Sequence, residues 1–255
     1  MKEIWITAHS GCEHLPQDSL ETVDCALELK ANVVEMDIRR TREGRMYVSH
    51  NACTGRDAEQ KVSLDQVFEK ISGTNLRINC DIKETFAVCG TLDLASRWNI
   101  PREQLIMTGS VSAEVLAMEP MVTERAQVYI NMEEALKYFR ISDLFREGME
   151  NQFTSLIHSG LPFTRGMLQN DQTLEHLISL VKHLRVSGIN MPHDEVTERI
   201  MKRFHEEQIA CSVWTVNEEA DIDRCLGLNV SNITTRNVRT AMARRDLWMQ
   251  KHAAD

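Results

Sequence analysis

The chain has 255 residues, 42% of them hydrophobic, and a formal net charge of −9. That apolar content suits one substantial core over residues 1–255, and a barrel of alternating strands and helices commonly reaches this length as a single domain. The negative charge argues against nucleic acid and anionic lipid surfaces as partners, because both select an excess of Lys and Arg. No stretch approaches the roughly 20 apolar residues that span a bilayer, and Met1-Lys2-Glu3 leads into a strand without a signal-peptide pattern, so a cytoplasmic protein is expected.

In chain order, the first strand is read at Ile4-Trp5-Ile6-Thr7-Ala8, ending at His9-Ser10-Gly11. Asp18 or Ser19 then caps a helix through Lys30, with Leu20, Val23, Ala26 and Leu27 at helical spacing. A second strand runs from Val33 to Ile38, and a third from Met46 to Ser49 leads into His50. Later runs of buried-strand character are 76–82, 104–107, 126–130, 186–191, 209–216 and 230–234. Helical patterns lie between most of them, such as Leu174-Leu177-Ile178-Val181 and Val196-Ile200-Met201-Phe204. The alternation predicts a parallel sheet, and eight or nine strands over this length favour a closed (β/α)8 TIM barrel over an open doubly wound sheet. The longest connection, 131–185, carries an amphipathic stretch at 132–145 and a less regular one at 152–169. It begins at a strand's C-terminal end, where it could cover an active face.

His9, Glu35, Asp37, His50, Asp81, Lys83 and Trp214 to Asn217 all fall at or near strand C-terminal ends, where barrel enzymes keep their chemistry. Glu35 and Asp37 are two apart in a strand and project to one side; Asp81-x-Lys83 repeats that geometry. Three carboxylates aimed at one point repel one another unless a cation lies among them, and hard oxygen donors select Mg2+ or Ca2+. A plainer reading has Glu35 and Asp37 end a strand and pair with Arg39 or Arg40, but it leaves Asp81-x-Lys83 and the two histidines unexplained. With a divalent ion holding phosphate oxygens, His9 and His50 can divide the proton work, one as base or nucleophile and the other as acid. Lys83 would add positive charge, and Trp214 a flat apolar wall. Of the other histidines, His158 and His193 are the two that could approach the active face. Seven cysteines without CxxC pairs suit reduced thiols; Cys12 and Cys53, each three residues after one of the two histidines, read as small loop-packing residues.

At these residues the chain resembles the glycerophosphodiester phosphodiesterase family. That family's His-Arg-Gly, Pro-Glu-Asn-Thr/Ser, Glu-x-Asp, His-Asp and Glu-x-Lys motifs correspond to His9-Ser10-Gly11, Pro16-Gln17-Asp18-Ser19, Glu35-Met36-Asp37, His50-Asn51 and Asp81-Ile82-Lys83. Its Trp-Thr-Val-Asn matches Trp214-Thr215-Val216-Asn217 letter for letter, and residues 230–236 follow its last motif loosely. The resemblance implies a phospholipase C-like phosphodiesterase barrel. It would hydrolyse small-molecule phosphodiesters such as glycerophosphocholine, or lysophospholipid-like diesters, to glycerol 3-phosphate or its counterpart and an alcohol. It further implies His9 and His50 as catalytic residues, Glu35, Asp37, Asp81 and Gln17 as ligands of Mg2+ or Ca2+ (Mn2+ would also serve), and Lys83, Trp214 and Ser10 in substrate binding.

The departures sit beside these residues. Ser10 stands where the family has a phosphate-contacting arginine, Gln17 where it has a metal-ligating glutamate, Asn51 where it has an aspartate, and Ser231 and Arg236 where it has aspartates. The segment between His50 and the helix beginning near Val62 is shorter than the family's cap insertion. Sphingomyelinase D-like phospholipases also lack the Pro-Glu-Asn glutamate, and they resemble this chain in the trio Glu35, Asp37 and Asp81. The alternative to an enzyme is a catalytically impaired barrel that binds a phosphorylated small molecule.

Overall fold

The computed structural model of the protein describes residues 3–137 and 166–252. Nine strands are present among them: β1 (Trp5–Ala8), β2 (Val33–Arg40), β3 (Met46–Val48), β4 (Arg77–Ile82), β5 (Leu105–Gly109), β6 (Gln127–Asn131), β7 (Gly188–Pro192), β8 (Ala210–Trp214) and β9 (Asn232–Thr235). Each coincides with one of the strand-like runs. The helices are α1 (Leu20–Glu28), α2 (Arg56–Glu59), α3 (Leu64–Ile71), α4 (Val88–Arg97), α5 (Ala113–Met118), α6 (Met121–Arg125), α7 (Asp171–His183), α8 (Glu198–Glu206), α9 (Glu219–Gly227) and α10 (Val238–His252). Residues 132–137 are also helical; the rest of the amphipathic stretch, and the section of the 131–185 connection from 138 to 165, lie outside the described residues.

Eight parallel strands follow one another as β1-β9-β8-β7-β6-β5-β4-β2, and pairing of β1 with β2 closes the ring. β3 is not a stave. It pairs antiparallel with the outer end of β2, Ile38 opposite Val48 and Arg40 opposite Met46. His50 therefore follows a hairpin return and not a barrel strand, which corrects the expectation of a third converging barrel strand. An eight-residue β2 outruns the barrel, and its unpaired rim acquires a partner by folding the chain back.

Period-two alternation sorts each strand into an outward and an inward face. Val34, Met36 and Ile38 join Ile78, Cys80, Ile82, Val213 and Ile233 in the core between strands and helices. The inward residues stack in layers. At the floor, Val33, Ile106, Tyr129 and Ala210 pack with Trp5, whose ring lies 4.3 Å from the Arg77 guanidinium. The middle layer is polar and internally satisfied: Thr7 donates to Asn232 (2.7 Å), Thr108 to Asn79 (3.0 Å) and Asn232 to Ser212 (3.0 Å). The top layer carries the ionisable residues.

α3 opens with a full capping box, Ser63 and Gln66. α1 does not have the expected cap. Ser19 Oγ donates to the Pro16 carbonyl, and the Asp18 carboxylate is drawn away to the backbone N–H of His50.

Candidate active site

The β2–β4 register sets Asp37 beside Asp81 and Glu35 beside Asn79. One oxygen from each of Glu35, Asp37 and Asp81 lies within 4.8 Å of the others, in a cavity of about 600 Å³ at the C-terminal end of the barrel. Lys83 Nζ is 2.6 Å from both Asp37 Oδ1 and Asp81 Oδ2. Of the two alternative partners for Glu35 and Asp37, Arg39 pairs with Glu84 instead, and Arg40 forms no ion pair with either carboxylate among the described residues. Burial, reinforced by Asp37 and Asp81, pushes the Glu35 carboxyl well above its usual range. Burial also raises Asp81, outweighing Lys83 beside it. The Lys83 ammonium is raised because the two carboxylates prevail over its own burial.

Three carboxyl groups thus gather near one ammonium that touches two of them, a charge imbalance that a further cation would offset. All the donors are hard oxygens, so Glu35, Asp37 and Asp81 fit a divalent ion such as Mg2+ or Ca2+. Gly109 makes room for them. Its φ is +77°, and a β-carbon there would come within 2.2 Å of Asp81 Oδ1.

His9 and His50 face the triad from two loops. His9 Nδ1 lies 2.8 Å from the Ser10 carbonyl, which only accepts, so Nδ1 carries the proton and Nε2 presents a lone pair. Burial holds the imidazole below its ordinary pKa, with the Arg236 charge adding to that against the pull of the Ser10 carbonyl. His50 Nδ1 lies 3.2 Å from Asp37 Oδ2, and its side chain is 64% exposed, open to an incoming molecule. Asp18 ties the two loops together: Oδ2 accepts from His50 N–H (3.0 Å) and Oδ1 from Ser10 Oγ (3.3 Å). Arg39 holds the other side of that loop by donating to the carbonyls of Ser49 and His50.

Gln17 and Trp214 line the same cavity, with the Trp214 indole N–H buried and without a partner among the described residues. The Ser10 hydroxyl is engaged by Asp18, while its backbone N–H donates to Glu35 Oε2 at 3.1 Å. Glu133, Asn131 and Arg236 also line the cavity. Of these, Glu133 was missed from sequence; burial raises its carboxyl, and one oxygen has no partner among the described residues. Glu133 sits in the helical turn 132–137 directly after β6, so strand periodicity does not reach it, and the signal was only its place just past a strand's C-terminal end. His193 lies against Arg224, outside the cavity, and His158 is outside the described residues. All seven cysteines are free thiols. Cys12 is buried, and burial first, then Cys25, pushes its thiol up to about 12, which suits a packing residue.

A protein-family model described as the glycerophosphoryl diester phosphodiesterase family matches residues 9–240. A glycerophosphodiester phosphodiesterase of Bacillus altitudinis is 21% identical over 252 residues, covering 90% of this chain and 93% of that protein. Among solved structures, a candidate glycerophosphodiester phosphodiesterase of Galdieria sulphuraria superposes with a TM-score of 0.71 at 15% identity, over 96% of this chain and 98% of that one. A phosphodiesterase of Oleispira antarctica, solved with the product sn-glycerol-3-phosphate, gives 0.65 at 11% identity over 95% and 96%. The structural likenesses establish the barrel, and the family model, matched from the first histidine to the last helix, establishes the kinship: the chain belongs to the glycerophosphoryl diester phosphodiesterase family.

Proposed function

We propose that the protein hydrolyses glycerophosphodiesters to glycerol 3-phosphate and an alcohol, with Glu35, Asp37 and Asp81 holding a divalent ion and His9 and His50 moving the protons. The observation that carries this reading is the convergence of three carboxylates and two histidines on one cavity in a member of this family. When bound, such an ion would polarise the phosphoryl oxygens and offset the charge that builds on them.

The chain's own groups supply the rest. His9 Nε2, unprotonated and half-screened from solvent, accepts a proton from the attacking water as its oxygen bonds to phosphorus. His50, its Nδ1 side anchored on Asp37, gives a proton to the ester oxygen as the bond from phosphorus to that oxygen breaks. The alcohol leaves neutral, and glycerol 3-phosphate remains. Asp18 joins the two histidine loops by accepting from the Ser10 hydroxyl and from the His50 backbone N–H. Trp214 offers its flat face to the departing alcohol. Gln17, with an amide oxygen where the family has a carboxylate, can add a neutral donor to the ion.

Turnover of glycerophosphocholine, followed by release of glycerol 3-phosphate in Mg2+, Ca2+ or Mn2+, tests the assignment. His9→Ala and His50→Ala should each lower kcat by about 10²-fold or more, the usual scale of general acid and base catalysis. A folded, metal-loaded protein that binds glycerol 3-phosphate and turns over no diester would instead be the impaired binding barrel.

A further inference from the structure

Position 10 carries a serine where the family has a phosphate-contacting arginine, position 236 carries an arginine where the family has an aspartate, and both residues line the same cavity. Ser10 is 1% exposed, and its hydroxyl is engaged by Asp18. Nothing on that side chain can take over the work of a guanidinium. Lys83 has carboxylate oxygens on two sides at 2.6 Å, so its charge is already directed at the metal triad. Arg236 is the other lysine or arginine lining the cavity among the described residues, and no carboxylate there forms an ion pair with it. It follows Asn232 and Thr234 at the period that faces the barrel interior, one residue beyond the end of β9.

Its backbone is held from both sides. Arg236 N–H donates to Asn217 Oδ1 (2.9 Å), its carbonyl accepts from Glu13 N–H (2.8 Å), and Asn237 Nδ2 donates to the Asn217 carbonyl (2.8 Å). The root of the side chain is fixed, the residue is exposed on the cavity lining, and the guanidinium has no hydrogen-bond or ion-pair partner among the described residues. We propose that Arg236 is the phosphate-binding cation of this enzyme, replacing from the end of β9 the guanidinium that the family carries beside the first histidine. The inference rests on the phosphodiesterase reading. It assigns the phosphate oxygens one charged, forked partner on the same cavity as the three carboxylates, and it gives Asn217 the task of positioning that partner.

The test is the dissociation constant of glycerol 3-phosphate and the KM of glycerophosphocholine for metal-loaded wild type, Arg236→Ala and Arg236→Lys. Removing a charge-assisted, two-pronged contact should raise both values about 10- to 100-fold in Arg236→Ala. Arg236→Lys should recover part of the loss, because the charge returns without the fork. Metal affinity, measured by calorimetry, should stay at the wild-type value, which separates a lost phosphate contact from a disturbed triad. Equal affinity of Arg236→Ala and wild type for glycerol 3-phosphate would overturn the proposal while leaving the hydrolase reading intact. If wild type itself neither bound glycerol 3-phosphate nor turned over the diester, both would fall together.

Discussion

Glu35 shows how one residue can serve chemistry against stability. The residue is 4% exposed, and its carboxyl lies near two other carboxylates and titrates well above its usual range. A folded-state pKa raised above the unfolded value means that the folded protein holds the extra proton between those two values. Metal-free protein therefore loses stability as pH rises from the ordinary glutamate range through the raised one. Glu35→Gln removes that penalty and keeps an acceptor for the Ser10 N–H. Metal-free Glu35→Gln should be more stable than wild type near neutral pH by about 1 kcal/mol, the usual scale of single substitutions, and so melt at higher temperature, while losing metal affinity and turnover. A lower melting temperature would show that the charged Glu35 carboxylate is stabilised in the folded protein. Asp37→Asn should likewise weaken metal binding in calorimetry; unchanged affinity would place the ion elsewhere. The convergence of these side chains was legible in sequence because Glu-x-Asp and Asp-x-Lys fix the side on which they project from a strand. The role of Asp18 was not legible. An aspartate before a helix reads as a cap, and only the folded hairpin brings the His50 N–H to compete for it.

At the scale of elements, the site depends on a hairpin and on close strand contacts. All nine strand runs were readable from apolar content and turn residues, yet the antiparallel course of β3 was not, since periodicity carries no direction. His50 is delivered by that hairpin and held through Asp18 and Arg39. Asp18→Ala should consequently lower kcat several-fold or more with little effect on metal affinity, because it frees the loops and leaves the triad in place. A fall in metal affinity equal to that of Asp37→Asn would contradict that division. Gly109 marks the opposite case, a residue with no chemistry whose lack of a side chain makes room for Asp81. Gly109→Ala puts a methyl group against Asp81 and strains a positive φ. It should cost about 1–3 kcal/mol of stability and weaken metal binding, both readable by thermal melting with and without ion. The sequence gives no hint of this, because the clash lies between neighbouring strands.

For the whole molecule, closure of the barrel joins the chain's beginning to its end. β9 pairs with β1, and from α10 the Arg245 guanidinium, 8% exposed, reaches Asn32 Oδ1 (2.7 Å) and the Ile4 carbonyl (3.4 Å). Arg245→Ala should destabilise the protein by about 1–3 kcal/mol, the scale of leaving buried partners of a charged donor unsatisfied, with one unfolding transition retained. No helix among the described residues is long and apolar enough to cross a membrane. With a net charge of −9, the molecule as a whole repels the anion it is proposed to cleave, so attraction must be local, at the metal triad and Arg236. The most direct measurement follows glycerophosphocholine by phosphorus NMR with chelator-treated protein before and after divalent ion is restored. The account predicts no conversion without ion, release of glycerol 3-phosphate once Mg2+, Ca2+ or Mn2+ returns, and loss of that release in His9→Ala. Equal conversion with and without ion, or by His9→Ala as by wild type, would contradict it.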